Sequence, residues 1–302
     1  MSDPKAFATG PVWTTSYPSE LVAAILEVKG PAWLCDELQR DEDPRYVEND
    51  FRHDVLGFIG SEDFRGKRVL DFGCGCGAST AIVSRLLPGA SITGIELDAP
   101  SLEIARKRVD HYGLGPVELL LSPDADSLHP DIGDFDFILF SAVFEHLLPE
   151  ERTLLLPKIW ARLRPGGVLF LNQTPHRYFP IEGHTTGLPL INYLPDGLTH
   201  FLTDRFCGRI PKGTDWPTLL WMGIRGGTPG EILEILDGTG EKSQDLAPTK
   251  NGLRSHLDLW DKSSRVRHAG TGHKVKVTAL KAVRTLSGHT VVPNISMAIR
   301  KV

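Results

Sequence analysis

The middle of the chain alternates between two spacings of apolar residues. Short runs of four to six mostly apolar residues are separated by longer stretches in which apolar residues recur every three or four positions. The short runs predict strands at 68–72, 91–96, 117–121, 135–140 and 168–171. The longer stretches predict helices at 78–86, 98–112 and 149–163. Strands that alternate with helices indicate a mostly parallel sheet covered on both faces, a Rossmann-like, doubly wound α/β fold.

The flanking sequence predicts three further parts around this core. Helices are expected near 19–28 and 46–59, with Ser19 as the cap of the first. Regular periodicity stops after Leu171, resumes as helices from Pro229, at 253–260 and at 275–286, and ends in an antiparallel closing strand at 294–300. We therefore predict an N-terminal helical cap (1–64), a core (65–175), a substrate-facing insertion (176–270) and a C-terminal helix and strand that complete the core (271–302).

Composition narrows the class of protein. No apolar run in the 302 residues approaches the ~20 needed to span a bilayer, and the first residues lack a signal-peptide pattern. We therefore expect a cytoplasmic protein without a transmembrane span. Cys74 and Cys76 form Cys-x-Cys, which is not a zinc or thiol-redox spacing, so packing is the favoured interpretation and no metal is predicted.

Charge is unevenly distributed along the chain. The formal net charge is −5, but 250–302 carries eleven Lys or Arg against two Asp, a balance of +9 that leaves −14 elsewhere. A basic segment of this kind suits an acidic or carrier-bound substrate, and a solvated face is the alternative. The acidic total and the absence of a nucleic-acid motif argue against a nucleic-acid partner. The sequence gives no indication of the oligomeric state.

The first predicted strand runs into a glycine-rich turn, Asp71-Phe72-Gly73-Cys74-Gly75-Cys76-Gly77-Ala78. Glycine at every second position lets a ligand approach the backbone, and the following helix directs its free N–H groups to the same place. The turn also matches a dinucleotide fingerprint, with Glu96 placed for a ribose hydroxyl. However, the carboxylate of Asp71 would repel a diphosphate and attract a cationic cofactor.

Two later motifs accompany the glycine turn. Phe135-Asp136 begins the strand that leads to Ser141, and residues 163–167 form a turn before the next strand. Together with the glycine turn, they resemble class I S-adenosylmethionine-dependent methyltransferases of the small-molecule, ubiquinone/menaquinone-methylase-like group (methyltransferase type 11). The resemblance covers 68–175 and, more loosely, 294–301. It implies S-adenosylmethionine as cofactor and methyl transfer to a small metabolite, with oxygen the favoured acceptor atom and a natural-product, glycan- or lipid-related acceptor.

The resemblance also implies where the cofactor binds. The turn would hold the methionyl end, Glu96 the ribose and Leu97 one face of the adenine. Asp124 and Ala125 would contact the adenine amino group, although Pro123 replaces the usual preceding glycine and Asp126 is a rival. The ten implied cofactor residues are Asp71, Gly73, Cys74, Gly75, Gly77, Glu96, Leu97, Asp124, Ala125 and Ser141.

Three histidines are candidates for removing a proton from an acceptor hydroxyl. His146 follows the fourth strand, and His176 and His184 lie just beyond the fifth. His146 could instead be a cofactor-pocket or packing residue, and His184 a solvated loop residue. Two other functions stay open: an NAD(P)-dependent oxidoreductase that uses the same turn, and a non-catalytic S-adenosylmethionine-binding module.

Overall fold

A seven-stranded sheet organises the protein, in a computed structural model that describes residues 14–124, 127–130, 132–265, 270–288 and 290–302. The strand order is β3-β2-β1-β4-β5-β7-β6. β1 to β5 are parallel, and β7 runs antiparallel to both β5 and β6. The predicted fold class, including the antiparallel closing strand, is confirmed. The strands are β1 Arg68–Phe72, β2 Ser91–Glu96, β3 Val117–Leu121, β4 Phe135–Ser141, β5 Leu163–Pro175, β6 Ser243–Asp245 and β7 Asn294–Lys301.

Eleven α-helices accompany the sheet in the described part of the chain. The three predicted between strands are present, and the side chains of Asp98 and Thr228 each accept a backbone N–H at the start of a helix. The helices are α1 Ser19–Lys29, α2 Pro31–Glu42, α3 Val47–Asp54, α4 Ala78–Leu86, α5 Ala99–Tyr112, α6 Pro149–Ala161, α7 Asp196–Phe206, α8 Trp216–Trp221, α9 Pro229–Asp237, α10 His256–Arg265 and α11 Thr271–Ser287.

The sheet buries apolar side chains on both faces. In β1 the neighbours Val69 and Leu70 are each 0 % exposed, and they belong to two different apolar clusters. Successive side chains of a strand point to opposite faces, so these clusters lie on either side of the sheet. This explains why the central strands are apolar at nearly every position, as parallel strands covered by helices on both faces are.

Two local predictions at the N-terminus were wrong. Ser19 does not cap α1, because Pro18 holds the cap position and no side chain bonds there. The helix predicted near 46–59 is shorter than expected, because α3 ends at Asp54. α1 ends at Lys29, and Gly30, with φ +78°, joins it to α2, of which Pro31 is the first residue. Proline is well suited to the first helical turn, where its missing N–H has no intrahelical partner.

The region predicted as an insertion contains two kinds of structure. α7 and α8 surround a small apolar cluster of their own, which includes Ile191, Leu219 and Ile224. By contrast, α9 packs into the apolar cluster on the Leu70 face of the sheet, and the short polar strand β6 pairs with β7. The four-part division of the chain itself stays a prediction. No described helix is both long and apolar enough to cross a membrane.

Candidate functional site

The glycine turn after β1 is held in a backbone conformation that suits only glycine. Gly73, Gly75 and Gly77 have φ of +71°, +54° and +81°. A Cβ at Gly73 would lie 2.7 Å from the Val143 side chain, and one at Gly77 would lie 2.8 Å from Cα of Ala105 in α5. At Gly75 nothing lies within 4 Å of that position. The turn is therefore packed at both ends and open in the middle, where a ligand can reach the backbone.

Glu96, at the end of β2, ties the turn to the neighbouring loop. One carboxylate oxygen accepts from the N–H of Gly75 at 2.8 Å, and the other accepts from the N–H groups of Leu97 and Asp98 at 2.8 and 2.9 Å. A carboxylate offers about four acceptor positions, so these three bonds leave room for another donor. The Leu97 side chain beside it is 49 % exposed and is free to cover a flat ligand.

Asp71 lies beneath the turn rather than on its surface. The residue is 1 % exposed, and one of its oxygens accepts hydrogen bonds from Ser79 Oγ at 2.8 Å and Thr80 Oγ1 at 2.6 Å. Burial raises the pKa of this carboxyl group, although the two hydroxyl donors oppose the rise. Its recorded bonds therefore fasten the turn to the start of α4. A direct contact with the cofactor stays a prediction.

The other predicted cofactor residues differ in their surroundings. Cys74 is 3 % exposed, burial raises the pKa of its thiol well above the ordinary value, and its sulfur lies close to Gly94. A buried neutral thiol of this kind fills space. The backbone carbonyl of Asp124 accepts from Ser122 Oγ, which shapes the loop after β3. Ala125 and its rival Asp126 lie outside the described residues.

Polar atoms without partners collect where β4 and β5 end. Ser141 and Asn172 pair in register, and the Ser141 hydroxyl and both side-chain polar atoms of Asn172 are buried without a hydrogen bond. The next residues along, Ala142 and Gln173, have φ of +54° and +62°. Buried polar groups are nearly always satisfied, so a group of orphans marks a place that a ligand completes. Asn172 and Gln173 were missed, although polar residues after an apolar strand were the available signal.

Beside these strand ends lie Glu145, His146 and His184. Their ligand-type atoms are all within 4.8 Å of one another. Glu145 is 0 % exposed, and burial raises the pKa of its carboxyl group. The His184 ring is partly desolvated, which lowers its pKa, and His146 lowers it further. The structure thus brings together two of the three predicted histidines, with a carboxylate that was not among the predicted site residues.

A cavity of about 340 Å³ begins at this cluster and lies under the segment that follows β5. His184 and His176 both line it. His176 is nearly buried, and its Nδ1 accepts the N–H of Tyr178, so this histidine shapes the loop and stays outside the cluster. Two cationic residues, Arg225 and Lys276, also line the cavity. Burial lowers the pKa of Lys276, whose ammonium lies 4.9 Å from the ring centroid of Phe179.

Residues 70–169 match the family described as "Methyltransferase domain". The match covers about a third of the chain. Among curated relatives, the carboxy-S-adenosyl-L-methionine synthase of Photobacterium profundum is 34 % identical over 109 residues, which cover 35 % of this chain and 43 % of that protein. The match thus spans less than half of the relative. The corresponding protein of Aliivibrio fischeri (strain MJ11) is 35 % identical over 108 residues, with the same coverage.

Solved structures with a similar fold include two named methyltransferases. The plantazolicin methyltransferase BamL, in complex with a triazolic desmethylPZN analog and SAH, shares 16 % identity at a TM-score of 0.48, covering 93 % of this chain and 95 % of its own. Human N-acetylserotonin methyltransferase, in complex with SAM, also shares 16 % identity at a TM-score of 0.48, covering 94 % and 60 %.

The geometry of the methyltransferase domain fits S-adenosylmethionine, the cofactor of this class. The open position at Gly75 admits a ligand to the backbone, and Glu96 beside it has acceptor capacity left for a ribose hydroxyl. The orphaned Ser141 hydroxyl lies at the end of β4, at the carboxyl edge of the sheet where ligands bind in open α/β folds.

Proposed function

We propose that the protein is an S-adenosylmethionine-dependent methyltransferase that acts on oxygen of a small, anionic metabolite. The observation that carries this proposal is the geometry of the turn after β1. A ligand can reach the backbone at Gly75, and the Gly75 N–H donates a hydrogen bond to the carboxylate of Glu96. The family match over 70–169 supports the same conclusion. A dinucleotide would place its diphosphate at this turn, above the buried carboxyl group of Asp71, which disfavours the oxidoreductase alternative.

The cofactor supplies an electrophilic methyl group on a positively charged sulfur. Under this proposal Gly73 and Gly75 contact its amino-acid portion, Glu96 accepts from its ribose, and Leu97 covers its adenine. The cationic portion of such a ligand is compatible with Asp71 below the turn, since opposite charges attract most strongly where water is excluded. The orphaned Ser141 hydroxyl at the end of β4 is available to the same ligand.

The cavity beyond β5 is proposed as the acceptor site. Its volume of about 340 Å³ is within the usual range for small-molecule pockets, and its cationic residues Arg225 and Lys276 favour an acceptor that carries a carboxylate or phosphate. Arg225 is 4 % exposed and is already bonded to Asp196 at 2.6 Å, which leaves Lys276 as the more available cation. An acidic metabolite is therefore the proposed acceptor class.

Methyl transfer is an in-line displacement: the C–O bond forms as the C–S bond breaks, S-adenosylhomocysteine leaves with the C–S electron pair, and the proton of the acceptor hydroxyl passes to a neighbouring base. The reacting atoms must be held about 3–3.5 Å apart with water excluded. His184 lines the acceptor cavity, and Glu145 and His146 lie beside it, so the hydroxyl is proposed to be positioned near this cluster. These three residues are the proposed acceptor-side machinery.

The decisive experiment follows labelled methyl groups from S-adenosylmethionine into the small-molecule fraction of a cell extract and into a panel of hydroxylated acids. Calorimetric binding of S-adenosylhomocysteine is measured on the same sample. We expect cofactor-product binding and label in an organic acid. Stabilisation by NAD without binding of S-adenosylhomocysteine would refute the proposal. Conversion of the cofactor to a carboxylated derivative, with no methylated product, would favour the activity for which the curated relatives are named.

A further inference from the structure

The cluster at the edge of the acceptor cavity has the composition of a metal site. Glu145, His146 and His184 each offer one ligand atom, and these atoms lie within 4.8 Å of one another. We propose that these three side chains bind a divalent transition-metal ion, with zinc as the representative ion. The binding itself does not depend on the proposed methyl transfer, because it follows from the arrangement of these side chains alone.

Glu145 is a buried carboxylate with one oxygen available to a cation. The residue is 0 % exposed, and one carboxylate oxygen accepts from Thr174 Oγ1 at 3.0 Å. The other oxygen is buried without a hydrogen-bond partner and lies 3.9 Å from Nε2 of His146. Leaving a buried carboxylate oxygen unpaired is unfavourable, and a metal ion between the two atoms would satisfy it.

His146 is held with the correct nitrogen available. Its Nδ1 lies 2.8 Å from the backbone carbonyl oxygen of Trp221, which can only accept a hydrogen bond. Nδ1 therefore carries a proton, and in the neutral ring the lone pair is on Nε2, the nitrogen nearer to Glu145. Metal-binding histidines are usually oriented in this way, by a hydrogen bond from the second ring nitrogen to a carbonyl or carboxylate.

The third ligand, His184, is brought to the site by a close approach of the backbone. Gly223 has φ +89°, and a Cβ there would lie 2.8 Å from Cδ2 of His184 and 3.3 Å from Cγ of Glu145. Only glycine leaves room for both side chains beside this loop. The rings of His184 and His146 have centroids 5.4 Å apart and are tilted by 56°, so they are not stacked on each other.

The donor set selects a class of ion. Imidazole nitrogen with one carboxylate suits zinc and its neighbours better than magnesium or calcium. Bonds of about 2.0–2.1 Å place tetrahedral ligand atoms roughly 3.3 Å apart, so the cluster must contract slightly. His184 is exposed and His146 is partly exposed, whereas Glu145 is buried, so we expect most of this contraction at His184.

Three protein ligands leave a coordination position for water or for a substrate oxygen. Because His184 also lines the acceptor cavity, that position borders the cavity. An ion here would hold an acceptor oxygen beside the strand ends, and this further role alone rests on the proposed function. Measuring metal binding without the cofactor tests the site itself, separately from its role in positioning the acceptor.

The test uses the full chain with its affinity tag removed and its metal stripped by a chelator. Zinc is titrated by calorimetry, and Co²⁺ is added separately to record the visible absorption of a nitrogen- and oxygen-ligated ion. We expect one ion per chain. His146→Ala and His184→Ala should each weaken zinc binding by at least about tenfold. Glu145→Gln, which keeps an acceptor for Thr174, should do the same while the circular dichroism spectrum is unchanged.

His200→Ala is the matched control, because that ring also bonds a backbone carbonyl, Thr214 O at 2.8 Å, but lies outside the cluster. It should bind zinc as the unmodified protein does. The proposal is overturned if the unmodified chain binds no zinc, or if the His146→Ala/His184→Ala double variant binds it equally well. S-adenosylhomocysteine affinity, measured on the same samples, reports on the proposed function independently.

Discussion

The two halves of the candidate site are built in different ways. The cofactor half lies between Asp71 and Asp98, is made largely of backbone, and has its polar groups bonded to one another. The acceptor half is assembled from side chains that come from the segment after β4, from the loop after β5 and from the helices beyond, and several of its buried polar atoms lack hydrogen bonds. The polar groups of the cofactor half are therefore held by one another, whereas those of the acceptor half are available to bond a ligand.

The largest effect is expected from a matched pair of substitutions in the turn. Gly77→Ala places a methyl group 2.8 Å from the backbone of α5, whereas Gly75→Ala meets nothing within 4 Å. Both pay about 1–2 kcal/mol for a left-handed conformation, but only the first also forces α4 and α5 apart. We expect Gly77→Ala to lower the free energy of unfolding by about 3 kcal/mol or more, as measured by urea denaturation.

Gly75→Ala should stay folded and lose affinity for S-adenosylhomocysteine, measured by calorimetry. This result would show that Gly75 is needed for ligand binding, whereas Gly77 is needed for packing against α5. Equal loss of stability in the two variants would contradict that distinction.

The next effect concerns Glu96, whose carboxylate joins the turn to the loop after β2. Glu96→Ala removes the acceptor for three N–H groups and the predicted partner of the ribose. Losing charged hydrogen bonds of this kind costs about 1.5–3 kcal/mol, so S-adenosylhomocysteine affinity should fall by roughly 10–100-fold. Glu103→Ala, on the exposed face of α5 beside Arg106, is the control and should bind normally. Unchanged affinity in Glu96→Ala would place the ribose elsewhere.

A smaller and more selective effect is expected on the acceptor side. Lys276→Ala removes the available cation of the cavity and should raise KM for an anionic acceptor by about tenfold, with little change in kcat, since the ammonium contributes to binding in the ground and transition states alike. S-adenosylhomocysteine affinity should not change. Lys281→Ala, on the same helix but outside the cavity lining, should behave as the unmodified enzyme. A loss in kcat alone would mean that Lys276 serves the chemistry instead.

The same contrast explains what could be predicted from sequence. The strands, the glycine turn and the position of Glu96 were predictable because they depend on residues close together in the chain, with clear periodicity and conformational demands. Of the three residues in the cluster, His146 and His184 were predicted as candidates and Glu145 was not. The proximity of the two histidines depends on Gly223 and on the carbonyl of Trp221, which are distant in sequence, so no local pattern predicts it. β6 was not predicted, because its three residues are polar and it pairs only with β7 at the edge of the sheet.

The smallest effect tests the electrostatics beneath the turn. Burial raises the pKa of Asp71 above its ordinary value of 3.8. At pH values between 3.8 and the raised pKa, the folded protein therefore holds a proton that the unfolded chain has released. Stability contributed by this group is therefore greatest at low pH and is lost as pH rises through that window. Asp71→Asn, which still accepts from Ser79 or Thr80, should remove this dependence. Urea unfolding of the cofactor-free protein across mildly acidic to neutral pH should show a shallower decline for the variant. An identical slope would mean that Asp71 is ionised throughout, and that its charge is offset by the hydroxyl donors of α4 alone.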